Sequence, residues 1–558
     1  MRKTILKTLG LVLCITAAQA QQWGDYTLYS VQNTSSTFLL DTNGTTVKTW
    51  THTASAKTGY SSYLEPGGTL VRAVSRSGNS FSGGPICGQV QKVDYAGNVI
   101  WDFVYSTTDY CTHHDIHPMP NGNVLLIAYE RKTAAQATQA GCSQAIEIWP
   151  DKIVEVQPTG ATTGTVVWEW HAWDHLVQNV NPAKDNYQTS ISAHPELLNI
   201  NQSTSKDWMH MNGLDYNPIL DQITFSCHNL SEIYVIDHST TTAEAAGHSG
   251  GNSGKGGDLL YRWGKPANYG ATGTAVLNVV HDAHWIPEGV PNSGRLVAFN
   301  NYGTSSKSTI DQVDAPEMGY TYSLTAGAFT PAGYTQRLVS TGQSSNMGNS
   351  QQLPNGNQLI CVATSGLMYE VNAAGTTLWS KTATGAVPQA FRYDQCYVSN
   401  AAPAIPVITD NSGTLSASAA ASYQWYLNGV LLAGETAQTI TPSADGIYVV
   451  RITDSNGCVY QYSKGFLKGT LVIPNGIRET HDDSRLLIYP NPGKGIITVE
   501  YPETARDATI RVCDVYGRQV MEVRNQNTLD MSSLSGGMYY ITVSTEDFSG
   551  TKKFLLTH

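Results

Sequence analysis

A chain of 558 residues exceeds what one ordinary core organises, so several domains are expected. Glycine is abundant at 51 residues, only 14% of residues are charged, and long helical periodicity is missing, which selects a β-rich exported protein over a helical cytosolic one. The formal charge of −11 excludes nucleic acid as a partner and leaves an anionic substrate dependent on a local positive site.

Residues 1–20 read as a signal peptide. Arg2, Lys3 and Lys7 form the basic start, Leu9 to Ala17 the apolar stretch, and Ala18-Gln19-Ala20 the cleavage site. Leu13 is too bulky to precede a lipidated cysteine, so Cys14 does not make the chain a lipoprotein. No later stretch approaches the roughly 20 apolar residues of a membrane span. Cys87, Cys111, Cys142, Cys227, Cys361, Cys396, Cys458 and Cys513 remain after cleavage. Their even number and oxidising destination permit disulfides without fixing a pairing. The lack of a C-x-x-C spacing argues against a thiolate zinc site. Cys458 and Cys513 fall in different expected domains, so some free thiols are also expected.

Two elements alternate along the first 400 residues. One is an apolar-Pro-x-Gly turn with a marked slot six residues earlier. That slot holds Tyr60 before Pro66, His114 before Pro120, His210 before Tyr216 (in place of the proline), His281 before Pro287 and Gly348 before Pro354. The other is Asp or Asn, two residues, Gly, then a β-branched run ending in Trp: Asp41 to Trp50, Asp94 to Trp101 and Asn372 to Trp379. Looser copies end at Trp168 and Trp170 and at Trp263, and a degenerate one lies in TAGAFTPAGYTQRLVS. These are hairpin signals. With a sixth inner strand near PQAFRYDQCYV they predict a six-bladed β-propeller over residues 21–400, ahead of a five-bladed ring or a β-sandwich array. The strands TLYS and STFLL are placed to pair with the last blade and close the ring. Blades around an axis bring equivalent slots to similar height, so three imidazoles converge.

At Ala401-Ala402-Pro403 a linker begins. Residues 401–470 carry YQWYLNG with Trp425, then DGIYVVRITD with Tyr448, a pairing similar to an immunoglobulin-like sandwich without its disulfide. A polar linker over 471–486 follows. Residues 487–558 resemble the C-terminal sorting domain of type IX secretion substrates, through Tyr489-Pro490-Asn491-Pro492-Gly493, Asp514-Val515-Tyr516-Gly517-Arg518, Leu534-Ser535-Gly536-Gly537-Met538-Tyr539-Tyr540 and Lys552-Lys553-Phe554. The resemblance implies passage through the type IX machinery across the outer membrane, to the cell surface or beyond.

The propeller motifs resemble the aryl-sulfate sulfotransferase family of six-bladed propellers. The resemblance rests on HDIHPMPNGNVL, WEWHAWDHL, DWMHMN (Asp207–Asn212), FSCHN (Phe225–Asn229), YRWGK (Tyr261–Lys265) and HDAHWIPEG followed by FNNYG. It implies an enzyme that moves a sulfuryl group from a phenolic sulfate ester to a histidine and then to a phenolic acceptor, with no nucleotide donor and no metal or other cofactor. By motif, His281 matches the sulfated histidine, His210 and His228 its partners, Arg262 the family's arginine and Asn229 a supporting asparagine. His114, Tyr60 and Asn301 are the further residues expected to bind substrate.

The chemistry fits independently. A neutral imidazole is a competent nucleophile near pH 7, and cationic neighbours hold sulfuryl oxygens and protonate a departing phenolate. Tyr60, Trp208, Trp285 and Tyr302 are candidate aromatic walls. Taken singly, His113, His117, His171, His175, His194, His238, His248 and His284 read as structural. Two other classes use the same residues: a histidine-ligated metalloenzyme on a propeller, and a non-catalytic surface propeller that binds glycans or partners.

Overall fold

The computed structural model describes residues 22–325, 327–469, 486–491, 493–501, 508–514, 519–544 and 549–557. The expected leader at 1–20, nearly all of the linker at 471–486, and Pro492 and residues 515–518 of the sorting motif lie outside the described residues.

Six four-stranded antiparallel sheets lie between Tyr26 and Tyr393. The innermost strands are Lys57–Leu64 in sheet A, Tyr110–Pro118 in B, Met211–Asn217 in C, Val280–Trp285 in D, Asn349–Gln352 in E and Ala390–Tyr393 in F. Sheet F joins the two ends of this region. Ala390–Tyr393 pairs with Tyr26–Ser30, which is followed outward by Ser36–Leu40 and Thr46–Thr51. TLYS and STFLL therefore do close the ring, and the fold is a β-propeller in which each sheet is read as one blade.

Side chains stitch each inner strand to the next. Going round, Ser30 meets Ser62 at 2.9 Å, and Ser61 accepts from the Ile116 amide at 3.2 Å. Asp115 accepts from Leu214 at 3.2 Å, and Asp215 accepts from Trp285 at 2.9 Å. Asp282 accepts from Ser350 at 2.9 Å, and Asn349 accepts from Ala390 at 2.9 Å. The aspartate in each His-Asp-x-His run thus holds the following sheet, leaving the preceding histidine for other use.

The outer element has an equally local cause. Asp41, Asp94 and Asn372 fold their own turns by accepting backbone N–H bonds two to four residues ahead. The tryptophans then reach across. Trp50 Nε1 donates to the Asp94 carbonyl, Trp101 to Thr163, Trp170 to Gly257 and Trp263 to Pro331, each in or beside the neighbouring sheet. Apolar side chains fill the space between sheets, with Val71, Val90, Leu126 and Val154 between A and B, and Ile127, Trp170, Leu214 and Phe225 between B and C.

Residues 408–468 form two antiparallel sheets around Leu415, Trp425, Tyr448 and Val450. The Tyr448 hydroxyl donates to the Ala444 carbonyl at 2.8 Å, which pins a corner four residues upstream. This sandwich rests on the turns that end the inner strands. Glu288 in the sheet D turn accepts from Arg451 at 2.7 Å and from the Tyr426 hydroxyl, and Gln461 donates to Pro120 in the sheet B turn. A Cys396–Cys458 disulfide ties it to the helix Gln395–Ser399 after the last inner strand. Cys87, Cys111, Cys142, Cys227 and Cys361 are buried free thiols. Residues from 486 onward form two further antiparallel sheets with their own apolar cluster.

Candidate functional site

A regular strand sends consecutive side chains to opposite faces. The inner strands break that rule at the marked slot. Pairing with the second strand slips between Thr58 and Ser62, Thr112 and Ile116, Met211 and Gly213, and His281 and His284. His114 and His210 adopt left-handed backbone with φ of 51° and 57°, as does Asp282 beside His281 at 56°. A non-glycine residue there costs on the order of 1–2 kcal/mol, and such bulges re-aim side chains beside functional sites.

The result is a cavity of about 520 Å³ into which His114, His210, His228 and His281 all project. Its other lining includes Gln32, Asn33, Ser75, Pro85, Asn346 and Met347. Ring centroids lie 4.6 Å apart for His114 and His210, 4.9 Å for His210 and His228, and 5.7 Å for His228 and His281.

Each of the four imidazoles has its Nδ1 committed. His281 Nδ1–H donates to Asn301 Oδ1 at 2.7 Å. The Asn301 amide nitrogen donates to the Ser344 and Met347 carbonyls, so its oxygen is fixed as the acceptor. His228 Nδ1–H donates to Asn229 Oδ1 at 2.8 Å, and Asn229 is oriented by donating to the Asp207 carbonyl. His210 Nδ1 meets Asp207 Oδ2 at 2.5 Å. His114 Nδ1 meets His113 Nδ1 at 2.7 Å, and His113 Nε2 meets Asp151 Oδ1 at 2.8 Å. His281 Nε2 accepts the Met347 amide at 3.0 Å. Among the described residues, Nε2 of His114, His210 and His228 makes no hydrogen bond.

Burial pushes the His281 imidazolium far below its usual range, and His228 and His210 push the same way. Burial also lowers His228 and His114, each with a further push from His210. Burial disfavours ionised Asp207, but its bond to His210 outweighs this and holds the carboxyl below its usual range. Burial pushes the Asp151 carboxyl up and the His113 imidazolium down, so that buried pair shares one proton. Three neutral imidazoles therefore surround His210, which alone has an ionised carboxylate at hydrogen-bond distance.

The sequence-based residues divide cleanly. His114, His210, His228 and His281 come together, with Asn229 and Asn301 directly behind two of them. Tyr60 stands one layer back, 1% exposed and edge-on to His114 at 5.2 Å, its hydroxyl without a partner.

Arg262 is not brought to the cavity. It lies in the outermost strand of sheet C, fully buried, with Nε 3.1 Å and Nη2 2.5 Å from the Glu232 carboxylate and Nη1 on the Leu197 carbonyl. Its charge is already spent on Glu232, and no arginine or lysine lines the histidine cavity. The aromatic walls also differ from expectation. Trp208 and Trp285 are core residues, and Tyr302 borders a separate cavity of about 530 Å³ with Lys265, Tyr334 and Arg337.

Sequence reasoning missed His113, Asp151 and the role of Asp207. Asp207-x-x-His210 was visible as a motif, but Asp151 lies on the third strand of sheet B with no sequence signal linking it to His113.

Residues 15–395 match the arylsulfotransferase (ASST) family, and residues 487–557 match the secretion system C-terminal sorting domain. No curated protein matches the chain. Among solved structures, a Bacteroides caccae protein of unknown function is similar at 10% identity and TM-score 0.38, covering 66% of this chain and 98% of its own. A Lactobacillus plantarum protein is similar at 10% identity and TM-score 0.34, covering 80% and 98%. Citrobacter koseri AztD is similar at 10% identity and TM-score 0.29, covering 80% and 100%. The type IX sorting domain marks the chain for export to the cell surface or outside, and no described helix is long and apolar enough to cross a membrane. With the match spanning all six sheets and all four cavity histidines, the chain belongs to the arylsulfotransferase family.

Proposed function

We propose that the cavity transfers a sulfuryl group from a phenolic sulfate ester to a phenolic acceptor through a sulfohistidine at His281. Family membership supports aryl sulfotransfer in general, using a sulfate donor and an acceptor. The observation that carries the finer reading is the convergence of four imidazoles with every Nδ1 held from behind.

In the first half-reaction, His281 Nε2 attacks sulfur, an N–S bond forms and the S–O(aryl) bond breaks. The leaving phenolate keeps the electron pair and takes a proton from His210. Attack needs the Nε2 lone pair, so the Met347 amide must release it and is then free to donate to a sulfuryl oxygen. In the second half-reaction, the acceptor phenol gives its proton to His210 as its oxygen attacks sulfur. The N–S bond breaks and neutral His281 returns. His114, with Nδ1 accepting from His113, turns Nε2–H toward a sulfuryl oxygen, and His228 stands beside His281 in the cavity wall. In place of the expected arginine, the cavity offers His210, held by Asp207, as the proton donor.

Residues 21–400 act as the catalytic domain, and residues 401–470, with buried Trp425 and the Tyr448 corner, as an immunoglobulin-like domain. The metal alternative is less well supported, because the cavity nitrogens do not supply three ligand atoms within 4.8 Å of one another.

The test is turnover of 4-nitrophenyl sulfate with and without phenol, followed by intact-mass analysis of protein mixed with donor alone. We expect phenol to accelerate nitrophenolate release in ping-pong fashion, and a gain of one sulfuryl group that is lost on His281→Ala. No turnover of any aryl sulfate by folded, processed protein would favour the binding-propeller reading.

A further inference from the structure

A second histidine cluster lies outside the cavity, where sheet B meets the insertion at 238–260 of sheet C. His175 follows the short 3-10 turn Ala172–Asp174, and His248 and Asp258 belong to the glycine-rich insertion. His175 Nδ1 lies 2.9 Å and His248 Nδ1 2.7 Å from the same atom, Asp258 Oδ1. Among the described residues this is the one set of three His, Cys, Asp or Glu side chains whose ligand atoms all lie within 4.8 Å of one another.

The hydrogen bonding makes the cluster more than a surface ion pair. His175 is fully buried, and its Nε2 lies 2.8 Å from the Ala245 carbonyl, which can only accept. Nε2 therefore carries the N–H, and in a neutral ring Nδ1 is a bare lone pair aimed at a carboxylate oxygen. A proton or a metal cation must sit between them. The ring cannot turn away, because Trp170 stacks on it at 5.6 Å and 3° and the loop presses from the far side at Gly257. A Cβ on Gly257 would stand 2.0 Å from the Ala245 carbonyl oxygen and 2.6 Å from His175 Nε2.

A histidine that donates one ring N–H to a backbone carbonyl while presenting the other nitrogen is the arrangement that orients metal ligands. Two nitrogens and a carboxylate oxygen suit zinc-class divalent ions, with bonds of about 2.0–2.2 Å. Tetrahedral ligands at those lengths stand roughly 3.3 Å apart, so the two nitrogen–oxygen separations need to open by about half an ångström. His248 is 64% exposed, which leaves an entry path and an outer position for water.

We propose that His175, His248 and Asp258 bind one zinc-class divalent cation that fastens the 238–260 insertion onto sheet B. The site is independent of the histidine cavity and of the reaction proposed there.

Equilibrium dialysis of the full chain against Zn²⁺, followed by metal analysis, tests this. Wild type and His228→Ala should each retain one tight equivalent. His248→Ala should lose it, with affinity falling by more than the roughly 10–100-fold typical of a lost outer partner. Asp258→Asn should behave likewise. A metal-free melting curve that matches wild type checks that His248→Ala folds. Zn²⁺ should also slow proteolysis within 247–257 in wild type and not in His248→Ala. Retention by His248→Ala at wild-type affinity, loss on His228→Ala instead, or no retained zinc in wild type would each overturn the proposal.

Discussion

In the cavity, four imidazoles stand ring to ring, every Nδ1 satisfied by a side chain behind it and three of the four Nε2 atoms unclaimed. On the flank, His175 and His248 turn Nδ1 toward one carboxylate oxygen, and the buried ring commits Nε2 to a carbonyl. The residue type is the same in both places. What differs is which nitrogen the surroundings hold, and that choice separates a site suited to nucleophilic and proton-transfer chemistry from one suited to a cation. A histidine count cannot make the distinction; the partners of each ring can.

Substitutions should pull the two clusters apart. The largest effect is expected for His281→Ala, which should lower aryl sulfotransfer by on the order of 10⁴-fold or more while leaving the far-ultraviolet spectrum and zinc uptake unchanged. Activity retained in that variant would mean that another of the imidazoles, His228 first, is the nucleophile. His210→Ala should cost about 10²–10⁴-fold, the range for general acid–base catalysis. The loss should shrink with donors whose phenols are strongly acidic, since those leave without a proton, and a uniform loss across leaving groups would point to a structural role.

Asn301→Ala removes one hydrogen bond that orients His281, so a fall of roughly 10-fold in kcat is expected, with KM for the donor nearly unchanged. The acid side of the pH profile offers a different check. Burial holds the His281 imidazolium well below the ordinary value of about 6.5, so the ring stays neutral and nucleophilic as pH falls through that value. The acid limb of kcat/KM should therefore lie below about 6.5, and a limb at or above it would contradict a buried nucleophile. Smallest in its effect on turnover is Arg262→Met. Leaving Glu232 buried without its partner should destabilise the fold by about 3–5 kcal/mol, read as a lower melting temperature, while each folded molecule keeps wild-type kcat.

The repeated slot six residues before each turn was enough to place Tyr60, His114 and His281 on inner strands and His210 immediately before one, because hairpin spacing fixes where a residue sits along a strand. Direction was not legible. His113 and His114 are neighbours, so an extended strand would send them to opposite faces; the left-handed backbone at His114 brings their Nδ1 atoms to 2.7 Å instead. Arg262 misled for the opposite reason. Its local motif, YRWGK, looks like a site fragment, and its partner Glu232 sits 30 residues away on the next strand inward. The aspartates of the His-Asp-x-His runs had no role legible in the sequence. Their real task, holding the next sheet through a single amide, depends on a neighbour that only the closed ring supplies.

The sandwich at 408–468 has a consequence for traffic. It sits against the turns of sheets B and D, at the ends of inner strands whose histidines lie about six residues, or roughly 20 Å, further up. The loops that line the cavity, around Gln32, Pro85 and Asn346, are at the other end. The sandwich and the cavity-lining loops thus lie at opposite ends of the inner strands. In the reaction proposed above, donor and acceptor would then share the loop side, away from the sandwich.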